Sequence, residues 1–220
     1  MKYLSEFRDG ELAKNLIKQI QQEIQTDRSY RLMEFCGGHT HTIFRYGIPA
    51  MLPESIQLLH GPGCPVCVLP MKRINAAIEL AQQKDTVLCS YGDMLRVPGD
   101  AQMSLLKAKS KGADVRMIYS PAEVVNIAQQ EPEKQVIFFA VGFETTTPPT
   151  AVILEQAIQL KLTNLFIFCN HVLTPPAIQG IMEPAKLANE SILDGLIGPG
   201  HVSVVTGYKA YERLAERYQV

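Results

Sequence analysis

The sequence predicts an α/β protein of two lobes, each a mainly parallel sheet flanked by helices, with a cleft between them. Three observations carry this. Short β-rich runs alternate with helical stretches along nearly the whole chain, the pattern of a parallel α/β sheet. The strand candidates are buried-type apolar runs rather than polar-apolar alternations. Nearly every unusual residue falls just after a strand candidate, the edge at which such sheets bind ligands.

The elements follow in order. DGELAKNLIKQIQQEIQT (9–26) places apolar residues at 12, 16, 17, 20 and 24, which is helical spacing with a polar opposite face. SIQLLH (55–60) reads as a strand, MKRINAAIELAQQ (71–83) as a helix and TVLCSY (86–91) as a strand. AQMSLLKAKSKG (101–112) is a helix closed by a glycine cap, and DVRMIY (114–119) is a strand. Ser120 and Pro121 fit a helix start, with serine capping and proline at the first helical position; AEVVNIAQQ follows. QVIFFAVG (135–142) is a strand, TAVILEQAIQL (150–160) a helix, NLFIFCN (164–170) a strand and PAIQGIMEPAKLAN (176–189) a helix. DGLIGPG (194–200) is strand plus loop, and TGYKAYERLAERY (206–218) closes as a helix.

Six strand candidates can form one sheet or two small ones. The two-lobe reading divides the chain into an N-terminal helical segment (1–30), a first Rossmann-like lobe (31–119) and a second (120–220). LLHGPGCPV (58–66) and LIGPGHVSV (196–204) support it. Both run from strand into a Gly-Pro-Gly loop and then a metal-capable residue.

Composition limits the function. The chain has 220 residues, 46% hydrophobic and 20% charged, enough to bury a real core. A net charge of -1 gives no support to nucleic-acid binding, which needs a basic surface. MKYLSEFRDGEL is polar and charged, unlike a signal peptide. The longest apolar runs, VIFFAVGF and LFIFC, are too short to span a bilayer. The expectation is a soluble cytoplasmic protein without nucleic-acid or membrane partners. Five cysteines are too few, and odd in number, for a secreted disulfide framework. In a reducing compartment, clustered cysteines point to metal or redox chemistry.

Five stretches carry that chemistry. EFCGGHTHTIFRYGIP (34–49) gathers Cys36, His39 and His41. Its glycines allow close backbone approach to a ligand, and Cys with His suits zinc or iron. The bland alternative is a glycine turn with incidental polar groups. HGPGCPVCVLP (60–70) holds Cys64 and Cys67 at CxxC spacing. Such a pair can hold a metal, carry a reversible disulfide or sit inert. Thioredoxin-like pairs open a helix, whose dipole activates the first thiol; here a helix is expected near Pro70, just past the pair. No second CxxC exists, so zinc must recruit Cys36 or a histidine. In GFETTTPPT (142–150), capping explains the threonines but not the charge of Glu144 at the end of an apolar strand. His171 in CNHVLTPPA (169–177) reads as structural, and His201 in GPGHVSVVTG (198–207), beside its Gly-Pro-Gly loop, as site-lining. Cys89 and Cys169 lie within apolar strands and read as core. No P-loop, GxGxxG or GxSxG motif occurs. Cys36 as a hydrolase nucleophile with a histidine base stays open.

Taken together and in this order, CGGHTH, GPGCPVC, FETT and GPGHVS resemble the HypD family of [NiFe]-hydrogenase maturation factors, from about residue 30 to the end. The resemblance implies an assembly scaffold rather than a conventional turnover enzyme. On it the Fe(CN)₂CO group of the hydrogenase is built. It implies a complex with the small chaperone HypC, cyanide delivered by HypE, which obtains it with HypF, and onward transfer toward the hydrogenase large subunit. Carried to this sequence, Cys36 would be the iron ligand, sharing the metal with the N-terminal cysteine of HypC, and His39 would line that site. Cys64 and Cys67 would be the redox-active pair. Glu144, Thr145, Thr146 and His201 would line the cleft. The resemblance leaves open whether His41, His60 or His171 touch the metal. It also implies a longer chain whose C-terminal region holds a [4Fe–4S] cluster on four cysteines; this sequence contains no such set. The residues alone also fit a general thiol–disulfide oxidoreductase or a structural zinc module.

Overall fold

The computed structural model describes residues 6–25 and 27–220. The chain runs through α1 (Gly10–Glu23), β1 (Tyr30–Glu34), α2 (Gly37–Arg45), α3 (Ile48–Met51) and β2 (Ile56–His60). Next come α4 (Pro65–Val68), α5 (Met71–Ala81), β3 (Thr86–Tyr91), α6 (Leu105–Ser110), β4 (Asp114–Ile118) and α7 (Ala122–Gln130). It ends with β5 (Gln135–Gly142), α8 (Thr147–Gln159), β6 (Leu165–His171), α9 (Thr174–Leu187), β7 (Gly195–Ile197), α10 (Gly200–Thr206) and α11 (Lys209–Tyr218). The helix expected over 9–26 is α1, started by Asp9, whose carboxylate accepts from the Glu11 and Leu12 amides at 3.0 Å. Its expected last residue, and residues 1–5 of the N-terminal segment, lie outside the described residues. Gly112, with φ +101°, follows α6 as the expected glycine stop.

Among the described residues all the strand pairs are parallel and fall into two sheets, ordered β2-β1-β7 and β4-β3-β5-β6. The architecture is the expected α/β one, with helices flanking both sheets. In each sheet the first strand in sequence has later strands on both sides. Successive connections therefore leave it in opposite directions, which is the switch-point arrangement of ligand-binding α/β sheets. β1 is not among the strands expected from sequence. Arg31 and Glu34 break up its five residues, leaving no apolar run to mark it.

The described residues form two compact units, and neither is one stretch of chain. The first holds the chain through Gly63 together with 179–199 and 211–220, and so the sheet β2-β1-β7. The second holds 64–178 and 200–210, with the four-stranded sheet. This differs from a sequential division at residue 119. β3 and β4 lie before that point, yet β3 pairs with β5 in register Val87↔Val136. Hydrophobic periodicity marks a strand but not its partner.

The second unit buries its sheet on both faces. Leu88, Phe139 and Val141 pack with Ile74, Ala77 and Ile78 of α5 and Leu105 of α6. Val87, Phe138 and Ala140 pack on the other face with Val124, Val125 and Ala128 of α7 and Ile153 of α8. Successive residues therefore serve opposite layers, and each large side chain buried contributes about 1.5–3 kcal/mol. Cys89 belongs to this core, and burial pushes its thiol up to about 12. Cys169 does not: it is exposed, against the core reading. It sits near the C-terminal end of β6, the edge strand, where neighbours cover one side only. Among the described residues no helix is long and apolar enough to cross a membrane.

Candidate functional site

In the first unit, register sets the geometry. Glu34, the last residue of β1, lies beside His60 of β2 and Ile197 of β7. The loops that begin with CGG, and both Gly-Pro-Gly loops, therefore leave one edge of one sheet. Glu34 is fully buried, at 0% exposure. Its Oε2 accepts from the Cys36 amide at 2.8 Å. Its Oε1 accepts from the Thr40 hydroxyl and lies 2.9 Å from His60 Nδ1. Burial pushes this carboxyl up, but the Thr40 hydroxyl, His60 and the Cys36 amide together hold it below the ordinary carboxylate range. It is therefore ionised at neutral pH.

That carboxylate fixes the CGGHTH loop. Cys36 is the extended residue that starts α2, at φ -155° and ψ 122°. Its Sγ lies over Gly38, where an added Cβ would sit 3.5 Å from the sulfur. The amide end of a helix is a favourable place for an anionic ligand. His39 Nδ1 lies 3.9 Å from Glu34 Oε2, beyond hydrogen-bond reach, and is buried without a hydrogen-bond partner. His60 packs its ring on Phe44 of α2, centroids 5.0 Å apart. His41 is exposed. The Gly37 amide donates to the Gly63 carbonyl at 3.1 Å, and a Cβ on Gly63 would fall 2.7 Å from that amide nitrogen. Only glycine permits this approach.

In the second unit, the CxxC pair opens a helix of its own. Cys64 caps α4, its Sγ accepting from the Cys67 amide at 3.2 Å, with Pro65 at the first helical position. The helix expected near Pro70 is a separate one, α5, starting at Met71. The expectation missed α4 because its single turn carries no periodicity. Both thiols are free. The Cys67 thiol is pushed up by its hydrogen bond to Cys64, then by burial and the neighbouring sulfur's charge. Two free thiols at this spacing can take part in thiol–disulfide exchange. α4 rests on β5, with Val66 packed on the α5 face of that sheet.

The FETT stretch follows β5 as a single 3-10 turn, Glu144–Thr146. Glu144 is 6% exposed. It accepts from the Thr174 amide and, at 3.1 Å, from the Thr174 hydroxyl. It thus satisfies the open amide end of α9, which accounts for an acid at the end of an apolar strand. Thr146 donates its hydroxyl to the Phe143 carbonyl at 2.8 Å. A Cβ at Gly142 would lie 1.9 Å from Thr146 Oγ1. Thr145 is half-buried in the same turn. α10, which carries His201 as its second residue, packs against this turn.

The structure thus gathers Cys36, His39 and His60 around Glu34 in one unit, and Glu144, Thr145, Thr146 and the His201 helix in the other. Glu34, Thr40 and Thr174 escape sequence reasoning. One signal was available. Glu34 is an acid closing a parallel strand before a Gly- and Thr-rich loop, and Glu144 is an acid two residues past another before a run of threonines. Among the described residues no three His, Cys, Asp or Glu side chains converge as a metal site. That holds for cysteines alone, so the described residues do not fit a four-thiolate [4Fe–4S] cluster.

Comparisons with known proteins agree with the motif order. The profile of the HypD family, described as "Hydrogenase formation hypA family", matches residues 11–220. The chain is 57% identical to the hydrogenase expression/formation protein HupD of Azotobacter chroococcum mcd 1, over 99% of this chain and 58% of that one. It is 57% identical to the hydrogenase maturation factor HypD of Azotobacter vinelandii, with the same coverage. It is 42% identical to the HypD of Escherichia coli K12, again over 99% of this chain and 58% of the relative. The chain therefore spans less than two thirds of the length of these relatives. On these matches, and with its four motifs on the sheet edges described above, the chain belongs to the HypD family of hydrogenase maturation factors.

Proposed function

We propose that this chain acts in the cytoplasm as part of a scaffold on which the Fe(CN)₂CO group of [NiFe]-hydrogenase is assembled, with Cys36 as its iron ligand. The carrying observation is the way Cys36 is presented. Its amide is pinned by a buried, ionised carboxylate, and its thiol lies over a glycine at a helix amide end. Thiolate is a soft, strongly donating ligand for low-spin iron. One thiolate is an incomplete coordination set. The iron, which is substrate here, takes its other ligands from outside: the N-terminal cysteine of HypC, the cyanides brought by HypE with HypF, and carbon monoxide. The finished group passes toward the hydrogenase large subunit. His39, with its unpaired buried Nδ1, lines the site in this reading. Glu144, Thr145, Thr146 and His201 are assigned as further lining residues.

Cys64 and Cys67 serve as the redox pair, delivering two electrons as they pass from dithiol to disulfide. No step is assigned to a [4Fe–4S] cluster. The test is iron content after anaerobic co-purification with HypC. Cys36→Ala should lose the iron, and unchanged iron would sink the assignment.

A second reading rests on Cys64 opening α4 with its sulfur accepting from the Cys67 amide: a general thiol–disulfide oxidoreductase. It predicts insulin reduction that survives Cys36→Ala. The zinc-module alternative needs four convergent ligands, and the described side chains offer no three.

A further inference from the structure

Cys169, exposed on the edge strand, is not alone there. Its Sγ lies 3.3 Å from His171 Nδ1, two residues along the same face of β6. His171 Nε2 lies 3.4 Å from the hydroxyl of Thr150, which is buried on α8. The proton positions follow from the partners. Thr150 has one hydroxyl proton and donates it to the Thr146 carbonyl at 3.0 Å. Toward His171 it can only accept, so Nε2 carries the imidazole proton. Nδ1 is then the lone pair, and it faces the Cys169 thiol. A nucleophile, a base and a third group that orients the base are thus in hydrogen-bond reach. Burial pushes His171 down, against the pull of the Thr146 carbonyl, which keeps the imidazole neutral and ready to accept a proton.

We propose that Cys169, with His171 as base and Thr150 as orienting hydroxyl, is a second reactive thiol site that takes small disulfides by thiol–disulfide exchange. In this step Cys169 sulfur attacks one sulfur of the disulfide while its proton passes to His171 Nδ1. One S–S bond forms and one breaks. The departing thiolate recovers the proton from the imidazolium. Cys169 is oxidised to a mixed disulfide, and half of the incoming disulfide is reduced to thiol. Exchange needs only a nucleophile, a base and access, since the developing charge stays on sulfur. Acyl transfer would need aimed oxyanion donors as well. Arg73 does not line this thiol: its guanidinium is held by Nε to Asn170 Oδ1 at 2.7 Å and stacks 4.8 Å over Phe168, both on the opposite face of β6.

The test uses a chain with Cys36, Cys64 and Cys67 replaced by serine, leaving Cys169 and the core Cys89. Its reaction with dithiobis(nitrobenzoate) is followed by released thiolate at neutral pH, and mixed disulfide with oxidised glutathione by intact mass. Cys169 should react at least about tenfold faster than the same thiol in the urea-unfolded chain, and His171→Gln should remove that gain. A folded rate equal to the unfolded one, or a rate unmoved by H171Q, overturns the proposal. Should H171Q fail to fold, Thr150→Val decides. It keeps the imidazole but frees its orientation, so a slower rate supports the site and an unchanged rate overturns it.

Discussion

Removing the Glu34 carboxylate should have graded consequences that follow from which atom faces which donor. Oε2 serves the Cys36 amide, while Oε1 serves the Thr40 hydroxyl and His60. In Glu34→Gln the amide oxygen can stay on Cys36 and the NH2 group can turn to the Oε1 side. There Thr40 can accept by rotating its hydroxyl, and His60 by changing tautomer. Each hydrogen bond to a charged acceptor contributes roughly 1.5–3 kcal/mol and a neutral one about 1. The cost of Gln should therefore be about 1–2 kcal/mol. Glu34→Ala removes every acceptor. Thr40 can fall back on the Cys36 carbonyl, 3.4 Å away, and His60, 35% exposed, on water. The Cys36 amide is left unpaired, and the total should reach about 3–4 kcal/mol. With a urea slope of about 2–3 kcal/mol per molar, Ala should lower the unfolding midpoint by over about 1 M and Gln by well under that. Amide exchange at Cys36 reads the same bond locally: protection should survive in Gln and collapse in Ala. If Gln costs as much as Ala, or if the Cys36 amide stays protected in Ala, the reasoning fails.

Further outcomes follow from other contacts. Gly63→Ala forces a Cβ to 2.7 Å from the Gly37 nitrogen and 3.0 Å from the Cys36 carbonyl carbon; it should destabilise by roughly 2 kcal/mol or more. Gly198→Ala, with nothing within 4 Å, should leave the melting temperature nearly unchanged. Cys64→Ala removes the group that pushes up the Cys67 thiol, so Cys67 should alkylate faster near neutral pH; an unchanged rate would remove the case for a coupled dithiol. Acid should destabilise the fold. Hydrogen bonds hold Glu34 low against burial; Arg116 and then Lys134 hold Asp114 low; the same two cations hold Glu131 to about 2. Depressed carboxyls contribute fully above their unfolded values, about 4–4.5, and the contribution is lost as pH falls through the folded values. The melting temperature should thus fall between roughly pH 4.5 and 2, and a rise on acidification would contradict these pairings.

The apolar runs at 86–91, 135–142 and 164–170 were legible as strands because burial on both faces demands continuous hydrophobicity. β1 was not, although it is the central strand of its sheet, because its Glu34 end was chosen for the site rather than for packing. The motif positions after strands were legible, with Cys36 starting α2 and Cys64 starting α4. The partner of Glu144 was not, since Thr174 lies thirty residues on and only folding joins them. Cys169 looked like core because it follows Phe-Ile-Phe, but an edge strand exposes what a central strand would bury. The division of the chain into units was illegible for a related reason. Which strands pair is settled by long-range register, and local periodicity carries no record of it.

The central claim is that Cys36 holds the iron on which cyanide and carbon monoxide are assembled. The most direct measurement is infrared spectroscopy of the anaerobically purified complex with HypC, formed in the presence of HypE and HypF. Cyanide and carbon monoxide stretching bands should be present with Cys36 intact and absent in Cys36→Ala. Bands that persist without Cys36, or that never form with every partner present, would contradict the account.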